Sequence, residues 1–152
     1  MVKLNLPECD IRLKKDDAGS VRVYDPLRGK WLILTPEEWV RQNFVEFLVN
    51  CKGFPRGRMG NEVSLRLNNT LRRCDTIVFD NARNPLVVIE YKAPDVEITK
   101  EVFYQILRYN SVFRAPYLIV SNGLRHFCCR ATFSPLSCEF LPEIPDWDNI
   151  LK

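Results

Sequence analysis

Residues Arg73–Pro94 read RCDTIVFDNARNPLVVIEYKAP. Two runs of β-formers, TIVF and LVVI, flank the turn-rich NARNP, a pattern that predicts a hairpin with strands at about 75–80 and 86–92. Three charged residues interrupt it. Asp75 stands before the first run, and Glu90 and Lys92 end the second. Charges are depleted from strands buried on both faces, so their placement needs a reason. Paired residue numbers in an antiparallel hairpin have a constant sum, and a turn centred between Ala82 and Arg83 sets that sum to 165, which puts Asp75 opposite Glu90. Directly opposed Cβ atoms lie roughly 4.5–5.5 Å apart on one face, and Lys92, two residues beyond Glu90, points to that face as well. Two carboxylates and an ammonium therefore converge at one end of the hairpin, bordering an apolar row of Ile77, Phe79, Leu86 and Val88.

Two carboxylates this close repel each other at neutral pH unless one holds a proton or a cation lies between them. Lys92 offsets part of the repulsion, and a hard divalent ion would offset more. Oxygen-only ligands suit magnesium or manganese rather than zinc. The plainer alternative is a Lys92–Asp75 salt bridge at a strand end, with Glu90 solvated.

The surrounding sequence gives these strands their setting. Residues 21–34, VRVYDPLRGKWLIL, predict an N-terminal hairpin. Thr35-Pro36-Glu37-Glu38 then carries the signals of a helix start, with Thr35 as N-cap, Pro36 in the first helical position and Glu38 three residues after the cap. Val40, Phe44, Phe47, Leu48 and Cys51 form one apolar stripe, and Gly53 ends the helix. A loop, FPRGRMGN at 54–61, precedes an expected strand at 62–67. A second helix fits 99–113, with Val102, Ile106, Tyr109 and Phe113 on one stripe beside Phe103 and Leu107. YLIVSNG and RHFCCRAT predict two further strands, and the tail at 133–152, with Pro135, Pro142 and Pro145, predicts loop.

The predicted class is mixed α/β: a core at about 35–132 with a mixed sheet of four to five strands, an extra N-terminal hairpin at about 21–34, and an irregular tail. At 152 residues one domain is expected.

Composition excludes several functions. Six cysteines include no CxxC pair, and His126 is the sole histidine, so four-ligand zinc spacing is missing. Nucleophilic Cys–His catalysis has no identifiable orienting partner, and His126 is expected to be a strand residue. No Gly-rich phosphate loop is present, which argues against nucleotide hydrolysis. No charged-then-apolar leader opens the chain and no apolar run approaches the ~20 residues of a membrane span. The expected compartment is the cytoplasm, with reduced thiols, and the Asn68-Asn69-Thr70 sequon is read as a chance match. A net charge of +3 permits a nucleic-acid partner without requiring one.

The order helix, three strands with an Asp and a Glu-x-Lys on the second and third, helix, strand resembles the αβββαβ core of the PD-(D/E)XK nuclease superfamily, a restriction-endonuclease-like fold. Asp75, Glu90 and Lys92 occupy the motif's places, with Cys74 where the naming proline would be. Gln105 and Tyr109, four apart and so on one helix face, match the QxxxY motif of RecB-like nucleases and of type I restriction R subunits. TPEEWVRQ, RCDTIVFDNARNPLVVIEYKAP and QILRYN followed by APYLIVSNG are similar to the type I restriction enzyme R protein N-terminal domain family, over about residues 21–130.

The resemblance implies a magnesium- or manganese-dependent deoxyribonuclease acting on double-stranded DNA. It implies that Asp75, Glu90 and the backbone carbonyl of Tyr91 hold the metal. Lys92 would orient or deprotonate the attacking water and steady the phosphorane, and Gln105 would contact the nucleophile side or the DNA. An additional acid is expected from Glu38, already a capping-box residue, or from Glu62. Tyr109 is expected in the core.

Arg56, Arg58, Arg66, Arg72 and Arg73 cluster in sequence between the first helix and the site, where they could meet phosphates; a solvated loop is the plain alternative for Arg56 and Arg58. The resemblance also implies partners, a translocase motor and methylase and specificity subunits. A motor has no room within 152 residues, so the chain is expected to stand alone or to be a fragment. The competing function class is a DNA-binding or assembly module that keeps the fold without cleaving.

Overall fold

A computed structural model describes residues 1–152. Strands β1 (Leu13–Lys15), β2 (Val21–Asp25) and β3 (Lys30–Ile33) form an antiparallel three-stranded sheet. The expected N-terminal hairpin is therefore the larger part of a sheet, to which the short polar strand β1 adds one edge. Its inner face is anchored by Val23 and Asp25, both fully buried.

Helix α1 (Pro36–Lys52) starts and stops where the sequence predicts. Thr35 Oγ1 accepts from the Glu38 N–H at 3.1 Å, and Gly53 closes the helix in the left-handed conformation at φ 73°. Strand β4 (Met59–Leu67) begins three residues earlier than expected, after a single 3-10 turn at Arg56–Arg58. It pairs along its whole length with β5 (Thr70–Phe79) through a two-residue turn in which Asn68 and Asn69 adopt φ of 50° and 64°. Asparagine tolerates the left-handed region that such hairpin turns demand, which extends β5 well upstream of its predicted start and gives the sequon a structural use.

Strand β6 (Pro85–Tyr91) follows, and its pairs Thr76–Ile89, Ile77–Val88 and Val78–Val87 keep the predicted register. A bulge between Val78 and Phe79 then shifts Phe79 onto Pro85. Leu86 consequently leaves the predicted row with Ile77 and Val88 and joins the core on the opposite face. Asp80 closes the loop, its carboxylate accepting from the N–H groups of Ala82 and Asn84 at 2.8 and 2.9 Å.

Helix α2 (Lys100–Asn110), capped by Thr99, carries the chain across to β7 (Tyr117–Ser121), which runs parallel to β6. Strands β8 (His126–Thr132) and β9 (Ser137–Leu141) complete a six-stranded mixed sheet in the order β4-β5-β6-β7-β8-β9. The expected four to five strands are thus six, because residues of the tail predicted as loop pair with β8; a four-residue helix, α3 (Trp147–Ile150), follows.

The sheet lies between the two long helices. On one face Val40, Phe44 and Leu48 of α1 pack on Val87, Ile89 and Ile119; on the other Phe103, Ile106 and Leu107 of α2 pack on Ile77, Val88, Leu118 and Val120. Central strands covered on both faces read as continuous apolar runs, which is why LVVI and YLIV lack alternation. No helix is long and apolar enough to cross a membrane.

Candidate active site

The charged end of the hairpin follows from this layering. Val88 and Glu90 on β6, and Lys92 just past its end, face the α2 side, while Ile89 and Tyr91 face α1. Beyond Val88 the cover provided by α2 gives way to an open cleft of about 410 Å³, lined by Glu90, Lys92, Val96, Val102, Gln105, Ile106, Tyr109 and Asn110. Gln105 and Tyr109 reach it from one face of α2. Three of the four expected catalytic side chains, Glu90, Lys92 and Gln105, therefore meet in one cleft.

Asp75 stands next to them rather than on the wall. The register on either side, Asn61–Thr76 and Val63–Cys74, sets Asp75 opposite Glu62, and the next pair on the other side, Thr76–Ile89, sets it opposite Glu90. Glu62, Asp75 and Glu90 thus form one row across three strands. Asp75 Oδ2 accepts from the backbone N–H of Tyr91 at 3.0 Å, which fastens the acid to the strand that carries Glu90.

The electrostatics of the row bear the marks of crowding. Burial, opposed by the Tyr91 N–H and by Arg41, raises the Asp75 carboxyl above its ordinary range. Burial and the neighbouring Asp75 charge push Glu90 up to about 7. Lys92 forms no salt bridge, so the expected alternative of a Lys92–Asp75 pair is not present, although its charge favours ionisation of both acids. No three acidic, cysteine or histidine side chains are gathered at a single point. Asp75 and Glu90 could hold a hard cation between them, since neither carboxylate is in a salt bridge and the Asp75 charge disfavours ionisation of Glu90.

Glu62, whose charge also disfavours ionisation of Asp75 and Glu90, is engaged by two arginines. Its Oε1 accepts from Arg41 Nη2 at 2.8 Å and its Oε2 pairs with Arg73 Nε at 3.1 Å. Its backbone adopts φ 54°, sparsely populated for a residue with a side chain. Glu38, the other expected acid, has both oxygens engaged: Arg28 Nη2 donates to both, and Arg41 Nε and Gln42 Nε2 donate to Oε2. It is a buried bracing residue at the start of α1.

Arg41, invisible as a site residue in the sequence, is the hub of this arrangement. It is buried, donates to Glu38, Glu62 and the Asp75 carbonyl, and lies over the Tyr91 ring with its guanidinium carbon 5.8 Å from the centroid. Only its spacing of three from the capping-box Glu38 hinted at a partner. A second polar chain runs beneath the site: Asn61 Nδ2 donates to Asp25 at 3.0 Å, Thr76 Oγ1 to Asn61 Oδ1 at 2.6 Å, and the Tyr91 hydroxyl to Thr76 at 2.8 Å. The strand positions bearing Asp75 and Glu90 are therefore braced from the α1 side by fully satisfied polar groups.

The arginines divide. Arg56 makes a bidentate pair with Glu46, and Arg58 donates to the Asp80 carbonyl at 2.7 Å, so both serve the scaffold. Arg73 is taken by Glu62. Arg66 is exposed, and Arg72 lies over the Tyr109 ring at 4.8 Å with its Nε buried and unpartnered. Tyr109 corrects the sequence reading: it is 51% exposed on the cleft rather than in the core, because α2 turns Phe103, Ile106, Leu107 and Asn110 toward the sheet. His126 is a strand residue as expected. Its Nε2–H donates to the Asn5 carbonyl at 2.9 Å and its Nδ1 accepts from Ser121 Oγ at 2.7 Å, and burial holds its pKa below the ordinary value.

With this geometry in place, comparison with known families decides the affiliation. The model of the family described as type I restriction enzyme R protein N terminus matches residues 36–145, most of the chain. The chain belongs to that family. The matched residues run from the first residue of α1 through the whole six-stranded sheet, so the family's shared part contains the Glu62–Asp75–Glu90 row, Lys92 and Gln105, and leaves out the N-terminal sheet. No curated protein matches the chain.

Proposed function

We propose that the chain is a metal-dependent DNA endonuclease domain, a phosphodiester hydrolase related to the nuclease of type I restriction R subunits. The observation that carries this reading is the Asp75–Glu90 rung beside an unpaired Lys92 and Gln105 in one open cleft, in a chain of that family. In this reading α1–β4–β5–β6–α2–β7 is the αβββαβ core of a PD-(D/E)XK nuclease, and the N-terminal sheet and β8–β9 are additions to it. Double-stranded DNA is the substrate. A translocase motor and methylase and specificity subunits are the partners, and the cytoplasm is the place of action.

Asp75, Glu90 and the backbone carbonyl of Tyr91 would hold magnesium or manganese, which supplies charge neutralisation and polarisation of the scissile phosphate when bound. Glu62 is an outer acid that Arg41 and Arg73 keep in reserve. Lys92 has no carboxylate to satisfy it, so its ammonium is free to orient the attacking water and to steady the charge that develops on the phosphoryl oxygens. The water oxygen bonds to phosphorus, the bond to the leaving ester oxygen breaks, and that oxygen takes up a proton. Gln105 donates and accepts on the nucleophile side, and Arg66 and Arg72 are the arginines left to meet flanking phosphates.

The rival reading, a DNA-binding or assembly module without catalysis, draws on the absence of a gathered three-ligand site. Nicking of supercoiled plasmid in magnesium and in manganese separates the two. The nuclease reading expects cutting by the wild-type chain and none by Asp75→Ala. DNA binding without cutting in either metal would favour the silent module.

A further inference from the structure

The three-stranded sheet lies outside the residues that match the family, and its inner face is packed at Val23 and Asp25, while Arg12 and Lys14 on its outer face are exposed. The registers Lys14–Arg22–Ile33 and Tyr24–Trp31 place these residues on that outer face, and the Tyr24 N–H donating to the Arg12 carbonyl aligns Arg12 with them. Tyr24 and Trp31 meet edge to face, ring centroids 5.3 Å apart. Two cations stand over these rings: Arg12 at 4.6 Å from the Tyr24 centroid and 5.3 Å from that of Trp31, and Lys14 at 4.3 Å from Trp31. Neither forms a salt bridge, whereas Arg22 is neutralised by Asp16 at 2.9 Å.

An aromatic floor restrains long side chains that would otherwise pay rotamer entropy on binding, while leaving their N–H donors outward. Charge without a carboxylate partner, pre-ordered and exposed, fits a polyanion. The sheet also joins the site: Arg28, in its β2–β3 turn, binds Glu38, and Glu38 binds the Arg41 that touches Asp75.

We propose that this outer face is a second DNA contact surface, with Arg12 and Lys14 binding backbone phosphates of the duplex that flanks the cleft. The contact carries no base specificity, since its donors reach phosphates, and it belongs to this chain's N-terminal sheet rather than to the family's shared core. It rests on DNA as the substrate, though not on cleavage.

The test is fluorescence anisotropy of a labelled duplex with the full chain in calcium, across a salt series, comparing wild type with the double variant Arg12→Ala/Lys14→Ala and its charge-conserving counterpart Arg12→Lys/Lys14→Arg. The expected result for the alanine pair is an affinity on the order of 10-fold weaker near 100 mM salt and a log–log salt slope reduced by about 1.8, the release of two phosphates' counterions. The conserving pair should keep the wild-type slope and the melting temperature should be unchanged in both. An unaltered slope in the alanine pair overturns the surface, whatever plasmid nicking by the same preparations reports about catalysis. Loss of binding to anionic phospholipid vesicles, with DNA binding intact, would overturn it in favour of a membrane contact. A wild-type chain that binds no duplex overturns it as well.

Discussion

Arg41 Nη2 donates to Glu62 Oε1 at 2.8 Å while its Nη1 donates to the carbonyl of Asp75, the residue opposite Glu62 on the neighbouring strand. One buried guanidinium thus fixes both the Glu62 carboxylate and the backbone of Asp75. Removing a partner from such a network leaves uncompensated charge, which costs about 3 kcal/mol or more. Arg41→Met should lower unfolding free energy by that order, and Arg41→Lys, which keeps the charge but loses the fork that reaches three acceptors, by less. Denaturant titration measures both. A loss under about 1 kcal/mol for Arg41→Met would mean that Glu38 and Glu62 are stable without it.

The pH dependence of the metal-free protein should report the Asp75–Glu90 rung. Burial and Asp75 raise the folded-state Glu90 from its ordinary 4.5 to about 7. A carboxyl with a raised folded pKa contributes stability that is fully present below the unfolded value and is lost as pH rises through the folded one. Glu90 therefore favours the fold at pH 4 and opposes it at pH 8. Glu90→Gln, which cannot ionise, should raise the melting temperature relative to wild type at pH 8 by a few degrees, with the difference shrinking toward pH 5. Thermal scans across that range decide it, and a difference independent of pH would mean that Glu90 does not titrate at a raised pKa in the folded protein.

How much of this was legible in the sequence varied with the range of the cause. The caps of α1 and the register of β5 with β6 arise from neighbours in the chain, from Thr35, Gly53 and the turn residues, and both were readable. So was the convergence of Asp75, Glu90 and Lys92, because it needs only the register and the two-residue period. The bulge at Val78–Phe79 was not, since one extra residue leaves the apolar pattern unchanged while moving Leu86 to the other face. Arg41 was hidden for a different reason. A charged residue on a helix is read as solvent-facing, and only the tertiary approach of β4 and β5 supplies Glu62 and the Asp75 carbonyl to bury it against. The engagement of Glu38 is hidden for the same reason, since its partner Arg28 lies in a turn ten residues upstream.

Metal binding gives a prediction separable from catalysis. If Asp75 and Glu90 take a divalent ion, magnesium or manganese at roughly 100-fold excess over its dissociation constant stabilises the fold by about 2.7 kcal/mol, a rise on the order of 5–10 °C for a domain of this size. Because Glu90 must shed its proton to bind, the rise should be larger at pH 8 than at pH 6. Asp75→Asn keeps the shape and the Tyr91 N–H acceptor but loses the charge, and should abolish the shift. An equal shift in Asp75→Asn would place the ions elsewhere.

Lys92 and the two acids should fail in different ways, because they act on charges of opposite sign. Asp75→Ala or Glu90→Ala removes a metal oxygen and also removes negative charge near the phosphates, so cleavage should vanish while duplex affinity stays constant or improves. Lys92→Ala removes no metal oxygen. It should leave the metal-induced thermal shift intact, weaken duplex binding by about 1 kcal/mol in a salt-dependent way as one phosphate contact is lost, and slow cleavage by on the order of 100-fold or more, as loss of a water-orienting or charge-stabilising group does. Plasmid nicking in magnesium and manganese, set beside anisotropy in calcium and melting curves with and without metal, reads all three quantities for each variant. Cutting that survives both Asp75→Ala and Lys92→Ala would remove the nuclease assignment from this cleft. A Lys92→Ala protein that loses the metal shift would instead place Lys92 in the scaffold of the metal site, and its role in steering the water would fall.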